Sequence, residues 1–269
     1  MVLCAAAALL AAACARQLPG AQPDDLSFAL ISGTSPESPF SAMSPRLALT
    51  LEAIRIENPV FIIHLGNMVF GGRDWMGIKE ADVSRQYAEF IALAARARSI
   101  LYTVKGSGDE FNGSAELYER YTGRKRYYSF NYGSVHFIVL DTTDPEPGLL
   151  GEAQLRWLDS DLDSYRRSPA IFVCAHHPLF LPRHARPSGP DELCKLPERL
   201  HERFRRYPVK AVFSGRPAAY FSERKDNILY VTAGCGGFNK SDASWRANQF
   251  YLVRFIGGAI SIAEKKAGK

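Results

Sequence analysis

Apolar residues in this chain come in two rhythms. Short unbroken runs occur at Phe28-Ala29-Leu30-Ile31, Val60-Phe61-Ile62-Ile63, Ile100 to Val104, Ile171-Phe172-Val173 and Val209 to Phe213. Such runs predict strands covered on both faces. Between them apolar residues recur at helical spacing. Leu47, Ala48, Leu51 and Ile54 follow the Ser44-Pro45 start signal and end at Asn58-Pro59. Val83, Tyr87, Phe90, Ile91 and Ala94 mark one face of a helix predicted from Ala81 to Ala97. Shorter helices are predicted over Ser114–Tyr121, Glu152–Tyr165 and Glu198–Arg206.

The first part thus reads β-α-β-α-β, which implies parallel strands covered by helices. The rest changes character. Tyr127 to Tyr132 alternates, Gly133-Ser134 turns, and Val135 to Leu140 returns as a hairpin. Ile228–Thr232, Gln249–Phe255 and Ala259–Glu264 add mostly antiparallel material around Gly257-Gly258. Parallel units followed by hairpins predict two sheets packed face to face with helices outside. The stretch from Pro178 to Pro197 is a long Pro-rich loop, and no internal repeat is visible.

Composition narrows the class. With 269 residues, 46% hydrophobic and 23% charged, the chain is long enough to bury a full core without staples. The net charge of +5 is spread over several elements, and the basic stretch Tyr121 to Tyr128 is short. No basic stripe with interleaved aromatics marks a nucleic-acid binder.

The beginning stands apart. Val2 to Ala13 is an uncharged apolar run, shorter than the roughly 20 residues that span a bilayer as a helix. It fits the apolar region of a secretory signal. Ala11-Ala12-Ala13-Cys14 resembles a bacterial lipoprotein signal, which makes Cys14 the lipidated mature N-terminus. The alternative is a plain cleaved signal with Cys14 incidental. The expected organisation is a signal over 1–13, a tether over 14–26, and a domain over 27–269. The chain is then exported to a bacterial envelope, in the periplasm or on the outer surface, and held to the membrane through Cys14. Beyond Cys14 lie Cys174, Cys194 and Cys235, an odd number. Cys174 reads as core; pairing of Cys194 with Cys235 is left open.

Candidate chemistry sits where the predicted strands end, the usual place for ligand sites in α/β sheets. In order these segments are Ser32-Gly33-Thr34-Ser35, Leu65-Gly66-Asn67, Lys105-Gly106-Ser107-Gly108-Asp109, Ala175-His176-His177-Pro178 and Ser214-Gly215-Arg216-Pro217-Ala218. Their order and spacing resemble the five motifs of the calcineurin-like metallophosphoesterases, which include the purple acid phosphatases. The likeness covers roughly Ser27 to Ile262. It implies an α/β fold, a four-layer α/β/β/α sandwich of two mixed sheets, with two metal ions at the strand ends. In such centres paired cations hold the phosphate, acidify a bridging water and stabilise the transition state.

The residues at the motif positions do not match that chemistry. By this resemblance the first motif's Asp and His correspond to Gly33 and Ser35, and the bridging Asp to Asn67. The metal-binding Asn corresponds to Ser107, and the neighbouring His to Gly108, whose partner acid remains as Asp109. The fourth motif's His remains as His176. The fifth motif's two His correspond to Arg216 and Ala218. Metal affinity needs several anionic or imidazole donors together, and Arg216 places a permanent cation where a cation would bind. The expectation is no dinuclear centre and no cofactor; the alternative is a single divalent metal near His176, His177 and His184. The ligand-binding candidates are Arg216, His176, Asn67, Ser107 and Asp109, with Arg216 either holding a phosphate or carboxylate or paired to an acid such as Asp109. Asp141 and Asp144 read as turn caps. Gly234, Gly236 and Gly237 lack the spacing of a nucleotide loop.

Three functions follow. The first is a non-catalytic interaction or ligand-binding protein on a phosphoesterase scaffold. The second is a hydrolase with a non-standard centre. The third is a structural envelope scaffold with a protein partner, which exposed apolar residues on the Leu179–Leu196 loop would favour.

Overall fold

The computed structural model describes residues 25–182, 185, 193–217, 219–234 and 249–267. Cys14, His184, Ala218, Cys235, Gly236 and Gly237 lie outside the described residues, as do the predicted signal and nearly all of the predicted tether.

Among the described residues eleven strands form two sheets. The first has five strands in the order β11-β10-β1-β2-β3. Its members are β1 (Leu26–Ile31), β2 (Phe61–His64), β3 (Ile100–Thr103), β10 (Gln249–Ile256) and β11 (Ala259–Lys266). The second has six in the order β4-β5-β6-β7-β9-β8. These are β4 (Tyr128–Tyr132), β5 (Val135–Val139), β6 (Ile171–Ala175), β7 (Val209–Ser214), β8 (Tyr220–Lys225) and β9 (Ile228–Ala233). Both sheets are mixed: β1–β2–β3 and β5–β6–β7–β9 run parallel, and the remaining pairs run antiparallel.

The sheets meet through aromatic rings. Phe28 packs within 6.0 Å of Phe61, Phe137, Phe172 and Phe213, centroid to centroid, joining β1 and β2 to β5, β6 and β7. Helices cover the outer faces. α1 (Pro45–Glu57) and α2 (Glu80–Ala94) bury Leu47, Leu51, Ile54, Val83, Tyr87 and Phe90 in the first core. α4 (Glu152–Ser164) and α5 (Pro197–Phe204) place Leu155, Leu158, Leu162, Leu200 and Phe204 against the second sheet. This is the four-layer arrangement of two mixed sheets. A short α3 (Glu116–Thr122) packs on α2.

Local chemistry sets the ends. Ser44 caps α1, its hydroxyl accepting from the Arg46 amide at 3.3 Å, and Asn58 closes the helix in a left-handed conformation. The helix predicted through Ala97 stops at Ala94, and a tighter turn covers Ala95–Ala97 before left-handed Arg98. β1 starts at Leu26, which is buried and pairs with Phe255, so the predicted tether loses its last residue to the sheet. One strand escapes the sequence pattern. β8 is an edge strand, Tyr-Phe-Ser-Glu-Arg-Lys, exposed along most of its length, and no apolar face betrays it. Cys174 and Cys194 are buried free thiols. No helix among the described residues is long and apolar enough to cross a membrane.

Candidate functional site

Parallel strands bring their carboxyl ends to one side of each sheet, and the two sheets face each other. The segments after β1, β2, β3, β6 and β7 therefore meet, and hydrogen bonds tie them into a ring. The Gly33 amide donates to Gly66 O at 2.9 Å, and the Ser35 amide to Asn67 O at 3.0 Å. The Gly108 amide donates to Asn67 Oδ1 at 2.9 Å. His176 donates from Nδ1 to Leu65 O at 2.8 Å. The Gly215 amide donates to His176 O at 3.2 Å, and Ser32 Oγ donates to Gly215 O at 3.2 Å. Arg216 closes the ring, donating from Nη1 to Ser107 Oγ at 3.1 Å. The segments that carry Gly33, Ser35, Asn67, Ser107, His176 and Arg216 are thus held together in one hydrogen-bonded cluster.

Asp109 has a different task from the one its motif position suggests. It is fully buried, and its carboxylate accepts four backbone amides: Asn67 at 2.7 Å, Met68 at 2.6 Å, Val69 at 3.1 Å and Gly106 at 2.8 Å. Both oxygens are occupied in holding the second motif against the third. The alternatives for Asp109, ligand contact or pairing with Arg216, both give way to this clasp. Burial pushes its carboxyl up to about 6, against the pull of the four amides.

Burial disfavours the charged form of two imidazoles, His176 and His64. Burial first, and then the neighbouring His177 ring, hold His176 well below the usual histidine range. Since Nδ1 carries the proton given to Leu65 O, Nε2 keeps its lone pair. That nitrogen is buried and has no hydrogen-bond partner among the described residues. His64 is lowered by burial to about 3. It accepts from the Gly66 amide at Nδ1 (3.1 Å) and donates from Nε2 to Thr34 Oγ1 (2.9 Å), so it positions the second motif from beneath.

Beside Ser107 opens a polar cavity of about 240 Å³, lined by Arg73, Lys105, Glu110, Arg126 and Thr143 among others. Lys105 is buried, paired with Glu110 at 3.1 Å and hydrogen-bonded to Thr143 Oγ1. Arg126 lies 3.0 Å from Asp144 and 3.8 Å from Asp141. Asp141 caps its turn as predicted, accepting from the Thr143 amide at 2.9 Å and its hydroxyl at 2.6 Å. Lys105 lies in the third motif, where the sequence alone gives it no role, and its place just after β3 is the available signal. On the Leu179–Leu196 loop, Leu179 is buried and Leu196 is exposed.

The family model for calcineurin-like phosphoesterases matches residues 43–215, more than half of the chain. The chain belongs to this family. It is also 35% identical over 85 residues to a protein of Arabidopsis thaliana described as a probable inactive purple acid phosphatase 9. That match covers 30% of this chain and 12% of the relative's length. Among solved structures, purple acid phosphatase PPD1 from yellow lupin (Lupinus luteus) superposes with a TM-score of 0.66 at 15% identity, covering 91% of this chain and 52% of that one. A dimetal phosphatase from Danio rerio gives 0.61 at 13% identity, covering 90% and 99%. GAP50, described as the anchor in the inner membrane complex of Plasmodium, gives 0.58 at 14%, covering 91% and 85%. At these identities the structures establish the fold.

The family binds divalent metals, and the cleft's donors can be tested against that need. Gly33 offers no side-chain atom. The Asn67 amide oxygen is held by Gly108, and Ser107 Oγ accepts from a guanidinium. The carboxylate of Asp109 is consumed by backbone amides. What remains of the donor set is one imidazole nitrogen beside an arginine. Among the described residues no three His, Cys, Asp or Glu side chains group as a metal site. This donor set does not fit a pair of divalent cations.

Proposed function

We propose that this phosphoesterase-family chain is a non-catalytic, lipid-anchored envelope protein. In this reading its cleft binds a phosphate- or carboxylate-bearing ligand where its relatives hold metals. The observation that carries the reading is the Arg216 to Ser107 hydrogen bond, which sets a guanidinium across two former ligand positions. A guanidinium presents five N–H donors in a fork suited to phosphate or carboxylate oxygens. Nε2 of His176, which has no hydrogen-bond partner among the described residues, adds an acceptor that suits the P–OH of hydrogen phosphate. The polar cavity beside Ser107 has room for the remainder of a small ligand. The description of the Arabidopsis thaliana relative as probably inactive is in keeping with a scaffold that has lost hydrolysis. Fold alone promises no activity.

A second reading, a phosphoester hydrolase with a mononuclear centre, is favoured by the same His176 Nε2, which is a free imidazole lone pair. Titration calorimetry with inorganic phosphate on the metal-free protein separates the two. Binding that weakens by about 10- to 100-fold in Arg216→Gln is the expected result, given about 1.5–3 kcal/mol for a charge-assisted hydrogen bond. Equal affinity in both proteins, or phosphate binding only after a metal is added, would sink the anion-site reading.

A further inference from the structure

The end of the first sheet opposite the cleft carries its own chemistry. The described chain begins there, at Asp25, and enters β1 in the middle of the sheet. β2 and β3 run parallel to β1, in a register that sets Phe28 beside Phe61 and Phe61 beside Ile100. Ile100, the first residue of β3, therefore lies toward the same end. β10 runs antiparallel to β1, so its last residue, Ile256, arrives there too, and the Gly257 amide donates to Asp25 Oδ1 at 2.9 Å. The last turn of α1, with Ile56, leads directly into β2 and packs on the Ala95–Ala97 turn.

Three isoleucines at this end face solvent. Ile56 is 71% exposed, Ile100 43% and Ile256 47%. Arg96, Arg98 and Arg254 are exposed among them, and no ion pair is found for any of the three among the described residues. The acids at this end are already engaged. Glu52 pairs with Arg55, Glu57 with Lys265, and Asp25 with the Gly257 amide. What is left is apolar and cationic.

We infer that this end of the fold docks on an anionic lipid surface. The inference rests on the anchored reading above. If Cys14 carries lipid, residues 14–24 are the only chain between the bilayer and Asp25. These eleven residues span at most about 40 Å in any conformation. The bilayer is then held near the end of the sheet where the isoleucines and arginines lie. Lipid on Cys14 would hold the chain at the bilayer, and apolar and basic residues would decide which face of the fold then meets an anionic surface. Other exposed apolar residues, Phe40, Trp75 and Met76, lie on segments that follow the carboxyl ends of β1 and β2. They mark the opposite end and serve as the internal control.

Hydrogen exchange of the full chain, produced in bacteria and reconstituted with vesicles of phosphatidylcholine and phosphatidylglycerol, tests this. Peptides around Ile56, Ile100 and Ile256 are expected to slow at least about threefold on vesicles with phosphatidylglycerol, while those around Phe40 and Trp75 do not. The variant I56S/I100S/I256S, altered only at exposed positions, is expected to lose that protection while remaining on the vesicles through its anchor. A chain that sits on vesicles without protection here, or with protection at Trp75 instead, overturns the docking face and leaves the anchor standing. A chain that stays in the soluble fraction overturns both. Protection that appears without vesicles as protein concentration rises assigns the face to a second copy and also overturns it.

Discussion

Replacing Asp109 with asparagine lowers the stability of the protein by about 4 kcal/mol. The carboxylate divides its work evenly: Oδ2 accepts the Asn67 and Gly106 amides, and Oδ1 accepts those of Met68 and Val69. An asparagine has one oxygen. Whichever way it flips, its NH2 group faces two amide donors. Two charge-assisted bonds are lost at about 1.5–3 kcal/mol each, and two buried donors are stranded at about 1–3 kcal/mol each. Burial works the other way, pushing the carboxyl up to about 6 against the pull of the amides, so the cost falls toward the low end of that sum. Guanidinium unfolding followed by circular dichroism measures the difference, and a change under about 1 kcal/mol would remove Asp109 from the role of clasp.

The second large effect belongs to Gly66, where alanine is expected to cost about 4 kcal/mol. Its φ is +97°, a conformation that side chains rarely adopt. An added Cβ would also fall inside contact distance of His176 Nδ1 and 2.9 Å from Gly106 Cα and N. Gly106 contributes backbone there and cannot swing aside as a flexible side chain would. Overpacking of this kind costs about 1–3 kcal/mol, and the backbone strain adds about 1–3. Gly257 is the matched control. It has φ +57° but open space around a Cβ, so its alanine variant should cost only the strain. For a chain of this length each kcal/mol moves the melting temperature by about 2–4 °C. Gly66→Ala should therefore melt about 8–16 °C lower, well beyond Gly257→Ala. Equal melting temperatures for the two variants would mean that the second, third and fourth motifs are not packed as tightly as described.

Both predictions concern the same point. The cleft keeps its shape through a buried carboxylate, a neutral histidine beneath it and glycines that let backbones touch. Each of these contacts is made by the chain's own groups.

Much of this architecture is legible in the sequence. Most parallel strands are buried on two faces and so appear as unbroken apolar runs, whereas β3, at the edge of its sheet, shows the same run with only Thr103 buried. The five polar segments fell at strand ends because chain direction places them there, and their convergence followed. What sequence could not give was how the polar atoms are shared. Three of the four amides that Asp109 serves, those of Asn67, Met68 and Val69, lie 40 to 42 residues away, and only the fold brings them together. Its role as a clasp, and the pairing of Arg216 with Ser107, were therefore invisible. β8 was missed because an exposed edge strand needs no apolar face. The cavity around Lys105 and Thr143 joins residues 38 apart in the chain, which no local pattern reports.

The central claim is that this family member has exchanged its metals for an arginine. The most direct test is metal content by plasma mass spectrometry, on protein purified without chelator and equilibrated with manganese, iron and zinc. The account predicts well under one tightly bound divalent ion per chain. About two equivalents, retained through gel filtration, would contradict it.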